Sequence, residues 1–182
     1  PKGEFEGPYH TWHSNGEIDL SCSYEKGAPQ GLQKQYFSNG QLKFACAYKD
    51  KVQDGEVKEW YEDGTLAFIG NFKKGVQDGL FKSTYSNGNP KEEKNFKKGF
   101  LDKEQKEWYE NGKLRAEGSY QEGKKDGTFL SFFDTGQLVF EGTFDLDQPV
   151  GTHTSYYSNG QVKNRAHFVS GKREGEHEEF YG

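Results

Sequence analysis

The chain has 182 residues, a formal net charge of -5, 31% apolar residues and 16% aromatics, with a mean hydropathy of -1.09. Acidic and basic side chains are interspersed without a Lys/Arg cluster, which disfavours nucleic acid and anionic lipid as partners, and no apolar run approaches a membrane-spanning length. So polar a composition would suit disorder, but the aromatic share and a strict repeat point instead to a thin array with much surface and little core.

In chain order, an Asn-Gly or a near equivalent returns every 24 residues, at Gly16, Gly40, Gly64, Gly88, Gly112, Gly136 and Gly160. A second glycine series keeps the same period: Gly7, Gly31, Gly55, Gly79, Gly127, Gly151 and Gly175, with Lys103 as its one substitution. Such self-similarity means a repeat architecture, in which each unit buries its apolar surface mainly against its neighbours. The units run 7–30, 31–54, 55–78, 79–102, 103–126, 127–150 and 151–174, with a partial unit 175–182. Together they make one continuous array, 1–182.

Within a unit, Gly55 to Phe72 reads as two antiparallel strands, roughly 55–61 and 66–72, joined at Asp63-Gly64. A two-residue link of this kind between alternating segments signals a hairpin with a type I′ turn. Residues 73–78 read as a return loop, and no stretch carries a helical period. In this register Tyr61 faces Leu66, Trp60 faces Ala67 and Gly55 faces Phe72. One face then carries the second aromatic of each pair (His13, Phe37, Tyr61, Tyr85, Tyr109, Phe133, Tyr157, Tyr181). Beside it stand Ile18, Leu42, Leu66, Pro90, Leu114, Leu138 and Val162, and at its far end Tyr24, Tyr48, Phe72, Phe96, Tyr120, Phe144 and Phe168. Each glycine of the second series stands opposite one of these last rings, as if the ring covered its bare backbone. The opposite face carries the first aromatics, Trp12, Tyr36, Trp60, Trp108, Phe132 and Tyr156, with Thr84 interrupting and Phe180 closing the column. Their expected cross-strand partners include Lys43, Arg115 and Lys163, whose stems would lie over the rings. The fold class expected is all-β: an elongated single antiparallel sheet of stacked hairpins, ending in a lone strand over 175–181. A parallel β-helix is the rival for this period.

The two cysteines, Cys22 and Cys46, occupy one repeat position in neighbouring units. Equivalent residues two strands apart lie roughly 10 Å from each other, beyond the reach of a disulfide, so both are expected as free thiols.

The repeat breaks most in its fourth unit. Thr84 replaces an aromatic, Pro90 replaces the turn-proximal Leu, Glu92 and Lys94 stand where apolar or small residues are usual, and Lys103 replaces a glycine beside Phe100-Leu101. This segment, 84–105, is either a decayed unit or a contact point. Asp145-Leu146-Asp147-Gln148-Pro149 has two carboxylates but lacks the other ligands of a calcium loop, and reads as a solvated turn. His10, His13, His153, His167 and His177 form no metal-ligand spacing, although His153 and His177 share a repeat position. No phosphate loop or nucleophile elbow occurs, and the carboxylates lie on exposed strand positions without an apolar pocket. No cofactor, no metal and no catalytic residue is expected, and the chain reads as a non-enzyme.

The aromatic pair, x-Asn-Gly-x-Leu and the linking Gly-x-x-x-Gly resemble a MORN repeat, in its bacterial YwqK-type, antitoxin-like variant. Tyr36-Phe37-Ser38-Asn39-Gly40-Gln41-Leu42 and Trp108-Tyr109-Glu110-Asn111-Gly112-Lys113-Leu114 carry the pattern, and Gly75-Val76-Gln77-Asp78-Gly79 and Gly123-Lys124-Lys125-Asp126-Gly127 carry the link. The resemblance implies stacked hairpins and a scaffold or protein-binding role, antitoxin- or immunity-like or envelope-associated. A protein partner is therefore the first expectation, with Pro90, Glu92, Lys94, Phe100 and Leu101 as contact residues, flanked by Trp60 and Trp108. A carbohydrate surface on the ladder Trp12, Tyr36, Trp60, Trp108, Phe132 and Tyr156 is the alternative. A membrane or lipid adaptor is a third reading, which the acidic balance disfavours. No signal peptide is present, and a start at Pro1 without Met fits a processed chain, leaving a bacterial cytoplasm, the envelope and secretion open.

Overall fold

A computed structural model describes residues 3–180, without the side chains of 176 and 177. Two compact units are resolved, Pro1–Gly88 and Asn89–Gly182. The first contains β1 (Gly7–Trp12), β2 (Ile18–Glu25), β3 (Ala28–Tyr36), β4 (Leu42–Lys49), β5 (Val52–Trp60), β6 (Leu66–Lys73), β7 (Val76–Gln77) and β8 (Gly79–Thr84). The second contains β9 (Pro90–Lys97), β10 (Phe100–Leu101), β11 (Lys103–Trp108), β12 (Leu114–Gln121), β13 (Lys124–Lys125), β14 (Gly127–Phe132), β15 (Leu138–Asp145), β16 (Gln148–Tyr156), β17 (Val162–Val169) and β18 (Lys172–Glu179). In each unit the strands pair antiparallel along the chain, as in β3–β4 and β16–β17, with β7 and β8 both on β6, β10 and β11 both on β9, and β13 and β14 both on β12. The expected all-β array of consecutive antiparallel hairpins is thus the observed fold, and a parallel β-helix is not. Tyr181 lies outside the described residues.

The turns exchange the roles read from the sequence. At the Asn-Gly sites only the glycine is left-handed: Gly64 has φ +86°, whereas Asp63 does not have positive φ. Gly64 N donates to Tyr61 O and Tyr61 N to Thr65 O, each at 2.9 Å. This is a three-residue loop, a type I turn closed by a left-handed glycine, and not a type I′ turn. The side chain at Asn explains the choice, because its Oδ1 accepts the amide two residues on: Asn39 from Gln41 at 2.9 Å and Asn111 from Lys113 at 3.0 Å. The type I′ turns are the returns. Lys74 and Gly75 have φ 52° and 79°, and Glu122 and Gly123 have 51° and 84°. The segment 73–78, read as a loop, is therefore strand at 73, 76 and 77 around a two-residue turn. Return glycines also reach the preceding repeat, Gly75 N donating to Gln53 O and Gly123 N to Leu101 O, both at 2.7 Å.

A one-residue slip sits near the three-residue loops inside each unit. Gly55 pairs with Phe72 and Glu59 with Phe68 as expected, but Trp60 pairs with Leu66, and Ala67 is left over in a bulge. The same slip places Tyr36 opposite Leu42, Trp108 opposite Leu114 and Tyr156 opposite Val162. Directly opposed residues share a face. The aliphatic column therefore backs the first aromatics and not the second. The basic residues move with the bulge: Lys43 Nζ lies 5.5 Å from the ring of Phe37, the Arg115 guanidinium 5.9 Å from Tyr109 and Lys163 Nζ 5.7 Å from Tyr157. These are the second aromatics, so the expected stacking on the first is corrected.

The core is a column that the sequence reading passed over. Cys46, Val57 and Phe81 are buried in the first unit, and Gln105 and His153 in the second. Val57 stands opposite Gly70, Gln105 opposite Gly118, Phe129 opposite Gly142 and His153 opposite Ala166. A Cβ added at Gly70 would lie 2.4 Å from Phe81, and one at Gly118 2.3 Å from Phe129. Glycine is required there so that a ring can lie on the backbone. Burying one such ring contributes about 1.5–3 kcal/mol, a large share for so thin an array. The second glycine series has a different reason. A Cβ at Gly31, Gly79 or Gly151 would meet nothing within 4 Å, so no ring covers them. They are kept by positive φ, 74° at Gly31, 101° at Gly79 and 71° at Gly151, a region that L side chains avoid.

Candidate functional site

The irregular unit replaces ring-on-glycine packing with charge. Glu92 and Lys94 leave β9 on the aromatic face, and Lys94 Nζ lies 3.0 Å from Glu92 Oε2 and 4.0 Å from Glu107 Oε1. Half-exposed pairs of this kind contribute at most about 1 kcal/mol, less than the ring burial they replace. Thr84, in the first unit, donates its hydroxyl to Leu66 O, so its loss of an aromatic is met by a backbone bond. Pro90 opens β9 and is exposed.

Phe100 and Leu101 form the two residues of β10. Phe100 is 60% exposed, and its ring rests against the next return turn, where a Cβ on Gly123 would lie 3.3 Å from it. Lys97, Lys98, Asp102 and Glu122 complete a groove of about 370 Å³ around it. The structure therefore joins Glu92 with Lys94, and Phe100 with Leu101. Trp108 is half-buried opposite Leu114, on the face away from Lys94. Trp60 belongs to the first unit, half-buried opposite Leu66.

Of the six ladder residues only Trp12 is largely open, at 61%. Tyr36, Trp60, Trp108, Phe132 and Tyr156 are half-buried. Tyr156 donates its hydroxyl to Glu141 Oε1 at 2.6 Å; that bond, with burial, pushes its pKa above the usual phenol value. The second aromatics instead stitch repeat to repeat. Tyr61 Oη donates to Thr84 O at 2.9 Å, Tyr109 Oη to Phe132 O at 2.8 Å and Tyr157 Oη to Phe180 O at 2.9 Å. Asn side chains add a parallel row, with Asn39 Nδ2 on Glu62 O and Asn111 Nδ2 on Asp134 O.

Several other titratable groups that the sequence singles out have structural employment. Asp147 occupies the left-handed second position of a return turn, accepts from Lys125 N at 2.8 Å and donates its own amide to Lys125 O at 2.8 Å. His13 Nε2 is 2.9 Å from Tyr36 O, and His153 Nε2 is 2.8 Å from Thr143 O inside a cage of Phe140, Phe144 and Phe168. His177 lies outside the described side chains. Among the described residues no group of three or more His, Cys, Asp or Glu could hold a metal, and no helix is long and apolar enough to cross a membrane. Cys22 and Cys46 are both free and buried.

A family model described as MORN repeat variant matches residues 29–50, 53–74, 77–98, 101–122, 125–145 and 149–170. Its copies run between return turns, so each contains one hairpin with its three-residue loop. No match to a curated protein was found. Among solved structures, a porin-like protein from Bacteroides uniformis ATCC 8492 matches at 11% identity, over 93% of this chain and 87% of that one, with a TM-score of 0.23. At that score the likeness carries no argument.

Proposed function

The chain belongs to the MORN repeat variant family, and on that premise we propose that it is a non-catalytic protein-binding module that uses the groove around Phe100. MORN repeats are generally associated with protein or membrane binding and are generally non-enzymatic. The observation that carries the reading is Phe100 itself, a large ring left 60% exposed between Lys97, Lys98, Asp102 and Glu122. An apolar anchor with a charged rim is the usual anatomy of an interface hot spot. The mixed signs of the rim suit a protein surface better than an anionic membrane, which asks for cations alone. An antitoxin- or immunity-like role, or an envelope scaffold, is the setting in which such a module would act. The half-buried ladder weakens the carbohydrate alternative, because only Trp12 presents an open ring.

The test is affinity capture with the full chain and with its Phe100→Asp variant, read by quantitative mass spectrometry, alongside sedimentation with vesicles and a glycan array. The expected result is a protein that the wild type enriches and Phe100→Asp loses. Capture indifferent to the substitution, or binding only to vesicles or glycans, would sink the proposal.

A further inference from the structure

In the second unit a second recess lies on the aromatic face, a cleft of about 260 Å³ whose walls include Gln105, Glu107, Tyr120, Lys125, Phe129 and Phe140. Its origin is a break in the second unit's core column at Gln105. Gly142 is flanked by Phe129 across one strand pair, and its own added Cβ would lie 2.8 Å from His153. Gly118 has Phe129 on one side, but across β11–β12 it faces Gln105. A narrow amide stands where neighbouring repeats place a ring, and the missing ring leaves the cleft.

Gln105 is only 6% exposed. Its Nε2 donates to Asn95 O at 3.2 Å, which fixes the sense of the amide and turns Oε1 the other way. Oε1 is buried with no hydrogen-bond partner among the described residues. Buried acceptors in folded proteins are almost always satisfied, so this one marks a place where a donor belongs. Oε1 has almost no accessible area of its own. A donor in the cleft reaches it only when the soft terminal torsion of Gln turns, at the expense of the Nε2–Asn95 O bond.

The surroundings decide the chemistry of that donor. A cation would meet Lys125, whose Nζ already sits 5.0 Å from the Phe129 ring and 4.9 Å from Phe144. An anion would meet Glu107 and an acceptor with nothing to give. A sugar would find partners in Glu107, Glu117, Lys125 and Ser131, but Phe129, Phe140 and Ala116 leave its remaining hydroxyls with none. What fits is one neutral hydroxyl on a flat apolar body. We propose that this cleft is a binding site for a phenol, supplied by a tyrosine side chain of the partner protein, with its hydroxyl donating to Gln105 Oε1 and its ring between Phe129, Phe140 and Tyr120. The source of the phenol rests on the protein-binding reading; the site itself does not.

The probe is p-cresol, the tyrosine side chain as a free molecule, titrated into the full chain beside toluene and methyl glucoside, with amide and side-chain resonances followed by NMR. The expected result is shifts centred on Gln105, Gly118, Tyr120 and Phe129, with p-cresol bound about tenfold more tightly than toluene, as one satisfied buried hydrogen bond implies. The Gln105 side-chain NH2 signals should move with p-cresol and not with toluene, a readout that needs no variant. Gln105→Leu gives up the Nε2–Asn95 O bond together with a buried unsatisfied acceptor, so it should remain folded, and it should erase the preference. Equal binding of p-cresol and toluene, shifts elsewhere, or tighter binding of methyl glucoside at these residues would overturn the assignment. So would a wild-type Gln105 already satisfied by a slowly exchanging water that p-cresol does not displace. No partner enters this experiment, so its failure is separate from any failure of capture through Phe100.

Discussion

Lys103 is the member of its column that is not glycine, yet its backbone holds φ 67°. For an L side chain the left-handed region costs roughly 1–2 kcal/mol, so Lys103→Gly should stabilise the second unit by about 1 kcal/mol net of the entropy that glycine adds to the unfolded chain. The converse substitution, Gly127→Ala at φ 101° with only Ser119 Cβ within 4 Å, at 3.9 Å, should destabilise by a similar amount through conformation alone. Urea melts of both variants check the pair, and a destabilising Lys103→Gly would show that the lysine side chain has a role. Cys46 is the other residue with a sharp expectation. It has no exposed surface, and burial pushes its thiol above the usual range, against a smaller opposing effect of Gln53. Because the thiolate is the nucleophile, Cys46 should resist a thiol reagent at neutral pH until denaturant is added. Rapid labelling of the native chain would contradict the packing of Cys46 against Val57.

At the scale of the hairpin, the sequence made the period, the strands and the antiparallel pairing legible, because glycine spacing and alternation are local signals. It did not make the turn type legible. Asn-Gly suits both a type I′ turn and a type I turn closed by a left-handed glycine, and what separates them is whether Asn takes positive φ. The Asn side chain decides, by holding the amide two residues on. The bulge is illegible for the same reason: a one-residue slip leaves the letters of both strands unchanged while moving Leu66 to the face of Trp60. Asn111 therefore has two separable duties, Oδ1 on Lys113 N and Nδ2 on Asp134 O. Asn111→Asp should lose only the second, and Asn111→Ala both, so the alanine should cost more, by about 0.5–1 kcal/mol for the extra bond. Asp63 is a natural version of the first change. Its pKa is held below the usual Asp range by the Thr65 amide. The stability from this bond is present above the unfolded value near 4 and is lost as pH falls through the lower folded value. Thermal melts at about pH 6 and about pH 3 should show Asp63→Asn losing less on acidification than wild type, and equal losses would remove Asp63 from the account.

Across each whole unit, the core column, exposed at Tyr9, half-buried at Gln33 and Phe129 and buried at Val57, Phe81, Gln105 and His153, escaped the sequence reading because its members share no chemistry. The signal that could have found it is the partner column, Cys22, Cys46 and Gly70, then Gly118, Gly142 and Ala166, which is small at every period but the one that holds Lys94. The cleft at Gln105 was invisible for that reason, being a deviation from a column not yet recognised. Phe100 was legible because its deviation is loud, an aromatic in a return segment. In the first unit the column predicts how damage spreads. Phe81 is 4% exposed and meets Phe68 at 5.8 Å and Phe72 at 5.5 Å between ring centroids, and it fills the space above Gly70. Phe81→Ala should cost about 3–5 kcal/mol, because the neighbouring glycine has no side chain with which to close the cavity. In a stack where each repeat touches only its neighbours, that loss stays local. Hydrogen exchange should therefore speed most in β5, β6 and β8, and little in β1 and β2, which hold Tyr9 and Tyr24 against Phe5 at ring separations of 5.9 and 5.6 Å. Equal acceleration across all eight strands of the first unit would mean that it unfolds as one cooperative body, and the nearest-neighbour picture of its stability would have to be given up.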